Sequence, residues 1–384
     1  MTFKALRYTT GLCLLAIVSG LVASVPAHAA KPAAGTYTGT LQNALYRIDV
    51  PPNWNGDLVM LMHGYQPVGA PITTPMTAAD STPVFLKKGF AVAQSQFASQ
   101  GFAVSDAIAD TERLREHFVR TYGQPKHTYA YGFSLGGLAV AASIERYPHA
   151  YTGAMITCGL TVSTPEFLDE GAVTPLVAFD ALIPGVIPDL VSPDSPPAIA
   201  PDAIAASVQA HPKEAAVLAK RLEETPETLP TLALYYMALR EIQKRAGGMP
   251  VDNRKETYEG FGDDTAFNRK VRRYSAVPAA AAYAKQNVTL TGHIETPLVM
   301  QWNTFDQTIP ARFHGVYPQQ IKAAGGEKWL TVLAPEGDGH CNFTDEQTAS
   351  AFDTLVRKAG AGAGASTSVA AKPALTEMRQ RKLP

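Results

Sequence analysis

A strand, a sharp turn and a helix are predicted within residues 126–148, and this stretch limits the fold more than any other part of the chain. Residues 128–131 (TYAY) form a β-prone run, and residues 135–147 are rich in good helix formers until Pro148 ends the helix. Between them, residues 132–136 (GFSLG) match the pattern GxSxG. The sequence therefore predicts that Ser134 lies at the tip of a strand-to-helix turn.

The two glycines of this pattern are needed for a steric reason. A serine at such a turn needs neighbours without side chains, because the strand and helix backbones pass very close together there. Gly132 and Gly136 meet that need. The start of the helix also directs free N–H groups and the positive end of the helix dipole towards the Ser134 oxygen, where they would stabilise a developing oxyanion. In a chain with 30 glycines the pattern also fits an ordinary βα turn, so a catalytic reading needs partners for Ser134.

The rest of the chain alternates between predicted strands and helices, which indicates a doubly wound, mostly parallel α/β sheet. The predicted strands are residues 41–50, 57–62, 87–97, 126–132, 153–159, 296–304 and 328–333. The predicted helices are residues 105–122, 135–147, 203–221, 231–245, 311–323 and 344–358.

One long segment interrupts this alternation. It is rich in proline at first and helical afterwards, and it is too long for a loop between two strands, so a mainly helical cap is expected. With 46% hydrophobic and 17% charged residues, one large domain with an insertion fits the chain better than two small domains. The predicted division is a signal peptide (1–29), a first core part (30–162), the cap (163–290), a second core part (291–358) and a disordered tail (359–384).

The first 29 residues have the pattern of a secretory signal peptide. Lys4 and Arg7 precede an apolar run over residues 11–25, and the AxA-type sequence at 27–29 predicts cleavage after about Ala29. The alternative is a retained membrane anchor, although the run is shorter than the ~20 residues that a span needs. We therefore expect a secreted or periplasmic protein without a membrane span after cleavage.

Charge and motifs exclude several classes of partner. Two of the 33 basic residues and none of the 34 acidic residues lie in the predicted signal, which leaves a formal charge of about −3 and no reason to expect nucleic acid or an anionic membrane. The chain contains no CxxC, HExxH or P-loop pattern, so we predict no metal and no cofactor. Its oligomeric state is left open.

Two later loops supply partners for the serine. A serine hydroxyl needs a base to take its proton and a carboxylate to hold that base in one tautomer. Asp306 follows the strand at 296–304, and His340 follows the strand at 328–333. The order Ser134, Asp306, His340 places each residue at the carboxyl edge of its strand, as this sheet topology requires. Taken singly, Asp306 could be a turn former and His340 a surface histidine, and Asp338 is a rival acid.

Two backbone N–H groups are candidates for the oxyanion hole. One belongs to Leu135, and the other to Tyr65 in the sequence His63-Gly64-Tyr65 that follows the strand at 57–62. Gly64 would let the backbone pass close to a substrate. His63 has two interpretations, a hydrogen bond that braces the loop or direct chemistry, and we favour the first.

The motifs HGY, GFSLGG, FDQTIP and GDGHC, in this order, resemble the α/β-hydrolase superfamily over residues 40–358. The resemblance implies an eight-stranded sheet, a Ser134/Asp306/His340 triad and a cap between the sixth and seventh strands. GDGHC is similar to the tannase and feruloyl-esterase group, in which a cysteine after the catalytic histidine bonds a cysteine before the serine. Here Phe133 occupies that position, so neither that disulfide nor that specificity is carried over.

The cysteines that remain after signal cleavage are Cys158 and Cys341. In an exported protein they form one disulfide or stay as two buried free thiols, and their spacing does not decide between these alternatives. The departure from the tannase pattern leaves Cys158 as the candidate partner of Cys341.

These features together predict a serine hydrolase that transfers an acyl group. An ester of a carboxylic acid is the favoured substrate, because the apolar cap and aromatic residues such as Tyr235, Tyr236 and Phe261 suggest a hydrophobic acyl or aryl pocket. A peptidase or amidase of the same fold is one alternative. A non-catalytic binding protein on a hydrolase scaffold is the other.

Overall fold

A computed structural model describes residues 32–360 of the chain. The strands are β1 (Gly35–Leu41), β2 (Ala44–Val50), β3 (Leu58–Met62), β4 (Ala91–Ser95), β5 (Thr128–Phe133), β6 (Gly153–Thr157), β7 (Leu298–Gln301) and β8 (Leu330–Val332). The α-helices are α1 (Thr82–Lys87), α2 (Val104–Tyr122), α3 (Leu135–Arg146), α4 (Thr164–Glu166), α5 (Thr174–Leu182), α6 (Pro201–Ala210), α7 (Pro212–Leu222), α8 (Leu232–Ala246), α9 (Asp264–Lys270), α10 (Pro278–Asn287), α11 (Val316–Ala323) and α12 (Asp345–Gly360). A π-helical segment (Phe167–Val173) and 3₁₀ turns (Pro226–Thr231, Ala311–Phe313, Glu327–Trp329) complete the helical structure.

The strands of residues 32–360 form one eight-stranded sheet in the order β1-β2-β4-β3-β5-β6-β7-β8. The pairs β1–β2 and β2–β4 are antiparallel, and all the other pairs are parallel. The predicted α/β class, with a doubly wound, mostly parallel sheet of eight strands, is confirmed. Since β3 and β5 to β8 run in the same direction, the loops that follow them meet at one edge of the sheet.

Alternate side chains of each central strand enter two separate cores. In β3, Leu58, Met60 and Met62 belong to the larger cluster, which includes residues of α2 and α3 and extends into the helical insertion. Val59 and Leu61 face the smaller cluster together with residues of α1 and α12. Because both faces are covered, the strand is an unbroken apolar run, as is typical of a buried parallel strand.

The N-terminal edge of the sheet differs from the prediction. No strand is predicted before residue 41, yet Gly35–Leu41 is strand β1 and pairs along its whole length with β2. The strand predicted at 41–50 begins only at Ala44, after a turn in which Gln42 has φ +43°. A half-exposed edge strand with threonine at alternate positions has little hydrophobic periodicity, so pairing with β2 defines it more than its own sequence does.

Two predicted helices are divided in the structure, and several strands are shorter than predicted. The helix predicted at 203–221 is divided into α6 and α7 at His211, because Pro212 has no N–H to donate and therefore begins a new helix. The helix predicted at 311–323 is divided into a 3₁₀ turn and α11. The strand predicted at 87–97 is confined to β4, since its first residue ends α1 and Gly89 (φ +84°) makes a turn.

A long helical insertion lies between β6 and β7 and contains α4 to α10. The division into core and cap at residues 163 and 290 stays a prediction. The predicted signal peptide (1–29) and the predicted tail (359–384), except for its first two residues, lie outside the described residues. In the part of the chain from 32 to 360, no helix is long and apolar enough to cross a membrane.

Candidate active site

Ser134 lies between the end of β5 and the start of α3, in a backbone conformation that few residues other than glycine adopt. Its φ is +54° and its ψ is −128°. This conformation is costly for a residue with a Cβ, by about 1–3 kcal/mol, and persists only where the surrounding structure enforces it. The sharp turn directs the Ser134 hydroxyl towards the edge where the loops after β7 and β8 lie.

The close backbone approach predicted for the two glycines is present. A Cβ on Gly132 would clash with the Gly136 carbonyl, and a Cβ on Gly136 would clash with the carbonyl of Met62 at the end of β3. The glycines therefore allow β3, β5 and α3 to pack closely enough to hold the Ser134 turn.

We expect Gly136→Ala to lower the free energy of unfolding by about 3 kcal/mol, because the added methyl group would have to displace backbone rather than a flexible side chain. Gly315→Ala is the matched control, since Gly315 has φ −83° and its added Cβ would meet only the end of the Gln319 side chain. Urea denaturation of both variants measures the effect. Equal stability of the two variants would contradict this account of the turn.

His340 lies between Ser134 and Asp306 within hydrogen-bonding distance of both. The distance from His340 Nε2 to Ser134 Oγ is 2.8 Å, and His340 Nδ1 lies 2.8 Å and 3.0 Å from the two carboxylate oxygens of Asp306. An ionised carboxylate only accepts hydrogen bonds, so Nδ1–H donates to Asp306 and Nε2 is free to accept the Ser134 proton. The structure thus brings together the three residues that the sequence predicts to be partners.

Asp306 is held rigidly by its own loop. Its side chain is 0% exposed, and its Oδ1 accepts hydrogen bonds from the N–H groups of Thr308 (2.7 Å) and Ile309 (2.9 Å). The rival Asp338 is exposed, and its backbone carbonyl accepts a hydrogen bond from the side chain of Asn342. The geometry therefore favours Asp306 as the acid that orients His340.

The loops that carry Asp306 and His340 are joined to each other. The side-chain amide of the fully buried Asn303 donates to the carbonyls of Glu336 (3.0 Å) and Asn342 (3.2 Å), on either side of His340. The backbone adds two bonds, from Thr304 N–H to Gly337 O and from Gly339 N–H to Phe305 O, each of 2.8 Å. Asn303 was not predicted from the sequence, although a polar residue two positions after the buried strand β7 is a signal that could have indicated it.

Cys158 and Cys341 form a disulfide in the structure. Cys158 directly follows β6, and Cys341 directly follows His340, with its Sγ 3.5 Å from His340 Nε2. The bond therefore connects the histidine loop to the end of a central strand, across 183 residues of sequence that include the helical insertion.

Replacing both cysteines by alanine is expected to lower the free energy of unfolding by about 3–5 kcal/mol, because the unfolded chain gains the freedom that a long closed loop denies it. Guanidinium denaturation with and without a reductant measures this. The reductant should destabilise the wild-type protein and leave the double variant unchanged. A wild-type protein with the same stability in both conditions would show that the bond does not form in solution.

The loop after β3 approaches Ser134 closely at Gly64. A Cβ on Gly64 would lie 2.9 Å from Ser134 Cβ and 3.3 Å from Ser134 Oγ, so only glycine fits this approach. Within residues 32–360, the N–H groups of Tyr65 and Leu135 have no hydrogen-bond acceptor. Both N–H groups are thus free to donate, and they belong to the residues that follow Gly64 and Ser134, where the two backbone segments come close together.

His63 contacts its own loop rather than Ser134. Its Nδ1 lies 2.7 Å from the Gly64 carbonyl, and its ring stacks on Phe97 with the ring centres 4.0 Å apart. Burial lowers the pKa of His63 below its usual value, which keeps the imidazole neutral. These contacts are those of a side chain that braces the loop.

The aromatic residues predicted to line a substrate pocket are buried inside the helical insertion instead. Tyr235, Tyr236 and Phe261 are at most 4% exposed. Tyr235 donates to the Thr308 carbonyl at 2.6 Å, so α8 supports the loop of Asp306. The aromatic side chain that is open to solvent near the site is Phe305, 43% exposed and next to Asp306.

Among residues 32–360, no group of three or more histidine, cysteine, aspartate or glutamate residues is arranged to hold a metal ion.

The sheet order, the serine after β5 and the acid and histidine loops after β7 and β8 define the α/β-hydrolase fold, and the chain has the architecture of that superfamily. Residues 39–170 match the Tannase-like family of unknown function (DUF6351). No curated protein matches the chain.

Three solved structures illustrate the likeness in fold. Est1E from Butyrivibrio proteoclasticus is 11% identical over 85% of this chain and 100% of its own, with a TM-score of 0.44. Feruloyl esterase B from Aspergillus oryzae is 13% identical over 80% of this chain and 72% of its own, with a TM-score of 0.47. The monoacylglycerol lipase of Paleococcus ferrophilus is 15% identical over 84% of this chain and 99% of its own, with a TM-score of 0.41. At these identities and TM-scores the comparison carries no information about substrate.

Proposed function

We propose that this protein is an exported serine hydrolase that cleaves carboxylic esters through an acyl-enzyme intermediate. The observation that carries the proposal is the position of His340, with one ring nitrogen 2.8 Å from the Ser134 hydroxyl and the other 2.8 Å from the buried Asp306 carboxylate. Such an arrangement makes a serine hydroxyl a nucleophile at neutral pH. Export rests on the sequence of residues 1–29.

In the first half of the proposed reaction, His340 Nε2 takes the Ser134 proton while Ser134 Oγ attacks the ester carbonyl. The negative charge on the carbonyl oxygen is stabilised by the N–H groups of Tyr65 and Leu135. As the tetrahedral intermediate collapses, the C–O bond to the alcohol breaks and His340 gives its proton to the leaving oxygen. The acyl group is then bound to Ser134 as an ester.

In the second half, His340 takes a proton from water while the water oxygen attacks the acyl-enzyme. The bond to Ser134 Oγ breaks, the serine regains its proton from His340, and the carboxylic acid leaves. Asp306 stays ionised throughout and stabilises the imidazolium in both halves. The residues described supply every proton transfer of this sequence, so it needs no metal or organic cofactor.

Two features support an ester with an apolar acyl or aryl group as the substrate. The exposed Phe305 and the half-buried Phe133 lie next to Asp306 and Ser134 in the chain, and they offer apolar surface at the rim of the site. The tannase-like description of the family matched by residues 39–170 agrees with an ester.

The test compares p-nitrophenyl esters of increasing acyl length with p-nitroanilides of the same acids, with Ser134→Ala as the blank. We expect kcat/KM for each ester to exceed that for its matched anilide, and we expect a fluorophosphonate to label Ser134 covalently. Cleavage of the anilides without preference for the esters would instead indicate a peptidase or amidase. An intact protein that takes no label and cleaves neither series would indicate a binding protein.

A further inference from the structure

We propose that Glu241, on helix α8 of the insertion, is a positioning residue for the oxyanion hole, because its carboxylate binds the side chain of Tyr65 and so fixes the Tyr65 N–H beside Ser134. This inference rests on the function proposed above. It assigns part of the catalytic geometry to an element that lies far from Ser134 in the sequence.

Glu241 binds two different loops of the core. Its Oε1 accepts a hydrogen bond from the Tyr65 hydroxyl at 2.6 Å, and its Oε2 accepts one from the Phe102 N–H at 3.0 Å. The half-buried phenol remains a donor at neutral pH, since burial and the adjacent carboxylate raise the pKa of Tyr65 well above its usual value. The carboxylate thus occupies a place that only an acceptor of two hydrogen bonds can fill.

The same two loops are also bonded directly to each other. The Gly101 N–H donates to the carbonyl of Gln66, the residue after Tyr65, at 2.7 Å. A Cβ on Gly101 would clash with the Glu241 carboxylate, which shows how closely α8 approaches this loop. The Tyr65–Gln66 segment is therefore held at the tyrosine hydroxyl by Glu241 and at the Gln66 carbonyl by the neighbouring loop.

Arg245, one turn further along α8, also binds the loop at residues 99–102, as a hydrogen-bond donor. It donates to the carbonyl of Gln100 at 2.6 Å and to the hydroxyl of Ser99 at 3.1 Å. Glu241 and Arg245 together fix α8 against the loop at residues 99–102. The carboxylate that binds the Tyr65 hydroxyl is therefore itself held in place.

The position of Tyr65 matters because its N–H belongs to a peptide that is held from both sides, by His63 at the Gly64 carbonyl and by Glu241 at the Tyr65 hydroxyl. Gly64 must stay within van der Waals contact of Ser134 for the next N–H to point at the oxyanion, and glycine itself adds flexibility at that point. An oxyanion-hole donor contributes ~10²–10³ in rate, and a displacement of about 1 Å can remove much of that contribution. A hydrogen bond through the side chain of the same residue is a direct way to prevent such a displacement.

Two conservative variants test the role. Tyr65→Phe removes one oxygen atom and leaves the backbone N–H in place. Glu241→Gln keeps the shape but places an NH₂ group against one of two donors, so one of the two bonds is lost. We expect kcat to fall about tenfold in each variant, with KM changed by less than about twofold.

Tyr236→Phe is the matched control. Tyr236 lies on the same helix, is fully buried, and donates its hydroxyl to the Pro196 carbonyl at 2.7 Å, away from Tyr65. This variant should lose about as much stability as Tyr65→Phe, as measured by Tm, and keep the wild-type kcat. The control separates loss of a buried hydrogen bond from loss of the oxyanion donor.

A pair of substrates that differ only at the carbonyl gives a readout that a purely structural role would not change. Sulfur accepts hydrogen bonds weakly, so the ratio of kcat/KM for an ester to that for its thionoester reports what the oxyanion hole contributes. We expect this ratio to fall about tenfold in Tyr65→Phe and to stay unchanged in Tyr236→Phe.

The outcomes distinguish this proposal from the function on which it rests. If the wild-type protein takes no fluorophosphonate at Ser134, the proposed function fails and the role of Glu241 fails with it. If the wild type is labelled and Tyr65→Phe keeps both its kcat and its ester-to-thionoester ratio, only the role of Glu241 is wrong. If Glu241→Gln does not fold, Tyr65→Phe alone still tests the proposed role of the Tyr65–Glu241 hydrogen bond.

Discussion

Replacing Ser134 by alanine is expected to lower kcat/KM for the best ester substrate by at least about 10⁴-fold, since the variant has no atom that can form the acyl-enzyme. The residual rate would come from the oxyanion hole and substrate binding alone. The fold should persist, because the substitution removes one oxygen atom and leaves the backbone of the turn in place. Ester hydrolysis and fluorophosphonate labelling measure the two consequences.

Ser143→Ala is the matched control for this substitution. Ser143 lies on α3, the same helix that begins after Ser134, and its buried hydroxyl has no hydrogen-bond partner within residues 32–360. This variant should keep the full rate of hydrolysis and the full extent of labelling. Hydrolysis by purified Ser134→Ala at more than a few per cent of the wild-type rate would remove the serine from the mechanism.

Asp306→Asn is expected to lower kcat by about 10⁴-fold, with little change in KM. The N–H groups of Thr308 and Ile309 would hold the asparagine oxygen in place, so its NH₂ group would face His340 Nδ1. Nδ1 would then have to accept a hydrogen bond, and the ring proton would move to Nε2. Nε2 faces Ser134, and once it carries a proton it cannot accept the proton of the serine hydroxyl.

Asp338→Asn provides the comparison, because Asp338 is the other acid near His340 in the sequence. Its carboxylate is exposed, and we expect kcat within about twofold of the wild-type value. The pH dependence of kcat/KM adds a second measurement. It should change in Asp306→Asn, where the ring proton lies on Nε2, and stay as in the wild type in Asp338→Asn. A larger loss in Asp338→Asn than in Asp306→Asn would overturn the assignment of the acid.

The order of elements and the rim at which Ser134, Asp306 and His340 meet could be predicted from the sequence. Two rules suffice for that prediction. A serine between two glycines after a β-prone run marks a sharp turn, and parallel strands place the loops that follow them at one edge of a sheet. The mostly parallel sheet found in the structure follows from the same alternation of strands and helices, whereas its number of eight strands was implied by the resemblance to the α/β-hydrolase superfamily.

Features that depend on contacts between distant residues were predicted poorly or not at all. Strand β1 has too little hydrophobic periodicity to be recognised and is defined by its pairing with β2. Asn303 and Glu241 were missed because each acts through bonds to other loops. The sequence predicts Tyr235 and Tyr236 at a substrate pocket, but both are buried, because sequence alone does not tell which face of an apolar helix is covered.

The sequence by itself determined the class of fold, the serine turn and the order in which Ser134, Asp306 and His340 follow their strands, since these depend on local patterns and on the direction of parallel strands. The tertiary structure alone decided that Cys341 pairs with Cys158, that Asp306 rather than Asp338 reaches His340, and that α8 binds Tyr65. The physical reason is distance along the chain. A hydrogen bond or disulfide between segments separated by tens to hundreds of residues is determined by how the layers pack, and packing leaves no signature in the neighbouring sequence.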